Sequence, residues 1–157
     1  MAKTKGRTPK RVELKIHRYV SLQSICEACR FLFLKGINVK TKGELEDQIS
    51  RALTQWEKEY LGRGPLSVKT DILRNMVIVQ LRGILTPAEK VLCETKEGML
   101  SIKRIRADLI ESGSEQLKQM IYTLTGKQVT SMHTDISTKT GERIIVFLLQ
   151  EPIDIQG

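Results

Sequence analysis

An α+β fold is predicted for this chain: a four-stranded antiparallel sheet made of two hairpins, with helices packed on one face. Three observations predict it. Two pairs of period-two segments, 66–73 with 76–82 and 128–136 with 143–150, are each joined by a short polar connection. Each pair follows a stretch with apolar residues at helical spacing. Two capping boxes, Thr41-Lys42-Gly43-Glu44 and Thr86-Pro87-Ala88-Glu89, mark helix starts. From about residue 41 the order is α-β-β-α-α-β-β, preceded by a basic strand–helix extension.

Residues 1–10 are polar and basic, with the composition of a disordered tail. In 11–18, Val12, Leu14 and Ile16 alternate with Arg11, Glu13, Lys15 and His17, the pattern of a half-buried strand. Residues 21–35 form an apolar helix that Ser21 can cap and Gly36 ends. The next helix starts at the Thr41 box. Its buried face is Leu45, Ile49, Ala52, Leu53, Trp56 and Tyr60, and it stops at Gly62 with Pro65 just beyond.

Strands 66–73 and 76–82 meet across Arg74-Asn75, where Asn tolerates a positive φ. Two helices follow the Thr86 box, with breaks near Gly98 and Gly113. Leu100, Ile105, Leu109, Leu117, Met120, Ile121 and Leu124 are their apolar positions. The second hairpin turns through 137–142, and the tail 151–157 leaves the sheet at Pro152. The domain expectation is therefore a basic extension (1–40), an α+β domain (41–150) and a tail (151–157).

The net charge of +8 is unevenly placed. Residues 1–40 hold ten Lys/Arg against two Asp/Glu, whereas 41–157 hold sixteen of each. Any polyanionic partner therefore belongs to the first quarter. No apolar run is long enough to span a bilayer, so membrane insertion is not expected. Three cysteines do not make a disulfide framework, and the expected location is the cytoplasm.

Several segments offer candidate chemistry. Gly62-Arg63-Gly64-Pro65 can present backbone N–H groups and a guanidinium to an anion, with Thr86 at a helix start as a second contributor. The plainer reading is a helix cap and turn, because the lysine and following helix of a phosphate loop are lacking. Cys26 and Cys29 have the spacing of half a zinc site, but their apolar neighbours suit buried cysteines, so no metal or other cofactor is expected. Ser131, His133 and Asp135 share one strand face. Side chains standing side by side on a strand do not form a catalytic relay, so no catalytic residue is assigned.

The segments 40–65, 76–92 and 124–129 and the final His133-x-Asp135-Ile136 with IIVFLL (144–149) resemble the MpsC-like domain family. EYLGRGP and LTPAEK are the most specific pieces. The family is named for a sodium-translocating, membrane-potential-generating system. The resemblance implies a small α+β domain and an accessory role beside a membrane system that transports ions or inorganic carbon, as a partner or regulator. With no catalytic residue assigned, a non-enzymatic domain is expected. A homo-oligomer and a membrane transport protein are the partners expected.

The first forty residues support an alternative. Strand 11–18, helix 21–35 and a capped helix follow the order of a ribbon-helix-helix DNA-binding unit, with Arg11, Lys15, His17 and Arg18 facing nucleic acid. Glu13 opposes that reading. The same segment can instead pack a helix on the open face of the sheet. It can also be an upstream extension, since Lys35-Gly36 is encodable as a ribosome-binding sequence just before Val39. A third function, weaker still, is an enzyme acting on a small anion near Arg63.

Overall fold

The computed structural model describes residues 41–154. The expected strand 11–18 and helix 21–35, with Arg11, Lys15, His17, Arg18, Cys26 and Cys29, lie outside the described residues. The described chain is an α+β unit with one four-stranded antiparallel sheet, as its hydrophobic patterning predicts.

Helix α1 (Lys42–Leu61) starts and stops where the capping residues demand. The Thr41 N–H donates to the Glu44 carboxylate at 2.9 Å, and the Glu44 N–H donates back to the Thr41 hydroxyl at 3.4 Å. Gly62 ends the helix at φ 75°. The buried face runs through Leu45, Ile49, Ala52, Leu53 and Trp56, and it also includes Glu57. Tyr60, expected on that face, is 39 % exposed. Its ring stacks on Trp56 at 4.8 Å between centroids and keeps the phenol at the surface, against the Ser112 hydroxyl.

Strands β1 (Ser67–Leu73) and β2 (Met76–Arg82) form the first hairpin. The positive φ in its turn belongs to Arg74, at 56°, and not to Asn75. Asn75 instead ties the turn to the second hairpin. Its side chain donates to the Leu149 carbonyl, and its own carbonyl accepts the Leu149 N–H.

Three helices follow, one more than expected: α2 (Pro87–Leu92), α3 (Lys96–Ser112) and α4 (Ser114–Thr125). The first break falls at Cys93–Thr95, ahead of Gly98. The Thr95 hydroxyl caps α3 by accepting the Gly98 N–H at 3.1 Å. Gly98 lies inside α3, where a Cβ would collide with the Leu92 carbonyl oxygen. It permits the close approach of two helices without separating them. The stripe that α3 buries is Ile102, Arg106 and Ile110, while Leu100, Ile105 and Leu109 are exposed.

Strands β3 (Val129–Ser137) and β4 (Glu142–Leu149) complete the sheet in the order β1-β2-β4-β3. The two hairpins therefore join through β2 and β4, with Ile78 opposite Val146. Val77, Val79 and Leu81 of β2 lie on the helix-covered face with Ile145, Phe147 and Leu149 of β4, all buried. The alternate residues of these strands point away from the described helices.

Candidate functional site

The two loops singled out from sequence do meet. Arg63, exposed just past the end of α1, reaches the Leu85 carbonyl beside Thr86, at 3.5 Å. Gly62 supplies the left-handed cap, and Gly64 lies against the aliphatic stem of Lys58. Thr86 is already engaged. Its N–H donates to Glu89 at 2.7 Å, and its hydroxyl accepts the Glu89 N–H at 3.2 Å. The Glu89 carboxylate thus sits where an external anion would bind.

Arg106 holds that carboxylate in a fork. Its Nε and one terminal nitrogen donate to the two Glu89 oxygens at 2.8 and 2.7 Å, and the same terminal nitrogen donates to the Ile84 carbonyl at 2.9 Å. Burial raises the Glu89 pKa, but the bonds from Arg106 and Thr86 outweigh it and hold the carboxyl at about 2.

Deeper in, Arg143 of β4 donates to Glu57 of α1 at 3.3 Å and to the backbone carbonyl of Arg106 at 2.9 Å. The side chains of this pair are only 1 % and 2 % exposed. Burial pushes the Glu57 carboxyl above its ordinary range, and the Arg143 charge pulls partly against it. Burial likewise lowers the Arg143 pKa. Two acids and two bases balance in charge and connect α1, α2, α3 and β4. A buried pair of this kind stabilises little in net terms but is costly to break. Its evident chemical work is to fix the packing of those elements.

A cleft of about 340 Å³ opens between α2 and the β3–β4 turn, lined by Leu85, Lys90, Cys93, Glu94 and residues 138–141. None of the four networked charges lines it. On the outer sheet face the His133 ring lies 3.2 Å from the Ser131 hydroxyl, while Asp135 pairs with Lys103 at 3.3 Å. The three do not form a relay. Cys93 is a half-buried free thiol, and no group of three or more His, Cys, Asp or Glu suited to a metal ion occurs among the described residues. No described helix is long and apolar enough to cross a membrane.

Sequence reasoning missed Glu57, Arg106 and Arg143. Its patterns did contain them: each continues an apolar row, Leu45-Ile49-Leu53-Glu57, Ile102-Arg106-Ile110, and Arg143-Ile145-Phe147-Leu149. A charged residue in phase with a buried face was the available signal.

Comparison with known proteins gives two relatives in Bacillus subtilis strain 168. The protein YbcI, described as uncharacterized, is 63 % identical over 110 residues, covering 70 % of this chain and 89 % of its own length. YrhF, described in the same way, is 29 % identical over 100 residues, covering 63 % of this chain and 82 % of its own. No solved structure matches. The family model for MpsC, the Na+-translocating membrane potential-generating system, matches residues 41–151, and the chain belongs to that family.

Proposed function

We propose that this chain is a non-enzymatic, cytoplasmic accessory or regulatory partner of a membrane system that transports ions or inorganic carbon, and that it works as a homo-oligomer. The observation that carries the reading is the closed charge network. Its charged side chains, Glu57, Glu89, Arg106 and Arg143, are spent on one another and on backbone carbonyls, and none of them lines the cleft beside α2. A fold so arranged offers surfaces for binding. Family membership supports the transport context through the system for which the family is named. Inverted membrane vesicles containing that system should retain the purified full chain on sedimentation at physiological ionic strength, and protein-free liposomes of the same lipids should not. Equal retention by both, or by neither, would count against the reading.

The charge distribution favours a second reading, a DNA-binding regulator that uses Arg11, Lys15, His17 and Arg18. The whole excess of positive charge lies in residues 1–40. Counterion release makes such binding fall steeply with salt. The expectation is weak, sequence-independent binding that disappears near physiological salt. Tight, sequence-selective binding that survives physiological salt and is lost in Lys15→Ala would install the regulator in place of the transport partner.

A further inference from the structure

The sheet face that the described helices leave bare is apolar at its centre and charged at its corners. Met76 and Ile78 of β2 lie there beside Leu148, Val146 and Ile144 of β4, with Leu73 of β1 adjoining them. Leu73 is 52 % exposed and Ile144 39 %. Each belongs to the opposite parity from the buried core residues, so water reaches side chains of a type that a strand normally buries.

The register places the charges in a definite pattern. Across one row, β1 to β3, stand Asp71, Ile78, Val146 and His133; across the next stand Lys69, Gln80, Ile144 and Asp135. A third row carries Arg82 and Glu142 at its centre. Consider a two-fold axis parallel to the strands, passing between β2 and β4 just above this face. It brings β1 of one copy over β3 of the other and β2 over β4, with every row kept. Lys69 then faces Asp135, Arg82 faces Glu142, Asp71 faces His133, Ile78 faces Val146 and Met76 faces Leu148. Basic groups meet acidic ones, and Met76 and Ile78 meet apolar partners, while Ile144 meets Gln80 and Leu73 meets Ser131. Aligned sheet packing rotates the strands by about 30° and separates the sheets by about 10 Å, distances that long corner side chains span.

We propose that a second copy of this chain covers this face, forming a symmetric face-to-face β-sandwich dimer about that axis. A two-fold interface must be complementary to itself, and the row-by-row pairing of opposite charges meets that requirement. Lys69 and Asp135 lie on opposite edge strands, about 14 Å apart by strand spacing, so the proposed contact between them forms only between copies. The intramolecular Lys103–Asp135 and Arg82–Glu142 pairs leave each carboxylate with a further oxygen lone pair for the partner.

Sedimentation of the full chain tests this. The wild type should sediment at about twice 17.9 kDa. Val146→Arg should sediment as a monomer with an unchanged circular dichroism spectrum. Lys69→Glu should loosen the dimer by about tenfold or more, because symmetry places two like-charged contacts in each dimer. Adding Asp135→Lys to Lys69→Glu should restore it, a rescue that a folding defect does not give. A wild type that is monomeric at about 100 µM, where even a dimer with a Kd of about 1 µM is largely formed, would overturn the proposal. So would a dimer that survives Val146→Arg, or a double variant no tighter than Lys69→Glu. A monomer whose outer-face amides are protected by residues 1–40 in hydrogen exchange would assign the face to that segment instead.

Discussion

At the scale of single residues, the unusual feature is the burial of charge. Leu, Ile or Phe side chains stabilise a fold by about 1.5–3 kcal/mol each when buried. Glu57 and Arg143 occupy such positions without that gain, and removing one strands the other. Arg143→Met should therefore cost about 3–5 kcal/mol, whereas Glu57→Leu with Arg143→Met should cost much less than the two single changes together. Denaturant titration of the four proteins in the cycle measures this; additive losses would show the pair to be uncoupled. Glu89 makes a prediction about acid. Its folded pKa of about 2 lies below its ordinary value of 4.5, so its contribution is full above pH 4.5 and is lost as pH falls toward 2. Glu57 runs the other way, since burial raises its carboxyl and protonation there costs the fold less. The thermal midpoint of the wild type should fall across that window, and in Glu89→Gln it should start lower and fall less. Parallel curves would mean that Arg106 does not hold Glu89 in its charged form. These residues were partly legible beforehand: periodicity places 57, 106 and 143 on buried faces, but no local rule says that three charges from distant segments will meet there.

At the scale of elements, the capping boxes at Thr41 and Thr86 were legible because a cap is a contact between residues three apart. The strands were legible for a similar reason, since alternation is local. Gly98 and Gly113 were read as helix breaks; Gly113 does separate α3 from α4, whereas Gly98 lies inside α3, and at both positions the room for a side chain is taken by another element. A Cβ at Gly98 would meet the carbonyl oxygen of Leu92, and a Cβ at Gly113 would meet the Trp56 ring from α1. Gly113 has φ −100°, an ordinary value, so the objection to a side chain there is spatial. Gly113→Ala should destabilise by about 1–3 kcal/mol through displacement of Trp56. The intrinsic fluorescence of the chain's single tryptophan should shift with it. An unchanged emission spectrum and midpoint would show that the ring moves aside without cost. The surplus of exposed apolar residues on α3 has the same origin: Leu100, Ile105 and Leu109 suit a helix, but the helix turns Ile102, Arg106 and Ile110 to the core.

For the whole molecule, we expect residues 41–150 to form an independent folding unit. A chain beginning at Val39 should be soluble and unfold in one cooperative thermal transition. If it folds only when residues 11–35 are present, the boundary lies further upstream. The sequence by itself determined the fold class, the four strands, the first helix, the capping boxes at Thr41 and Thr86 and the family, because each rests on neighbours in the chain or on short ordered motifs; the division of 87–125 into three helices was not among them. Only the tertiary structure decided the strand order β1-β2-β4-β3, the closure of the Glu57–Arg143 and Arg106–Glu89 network, and the row of charges across the bare sheet face. Each of these depends on pairing β2 with β4 across a long stretch of intervening chain. Local patterning determines which face a residue takes, but long-range register determines what stands opposite it.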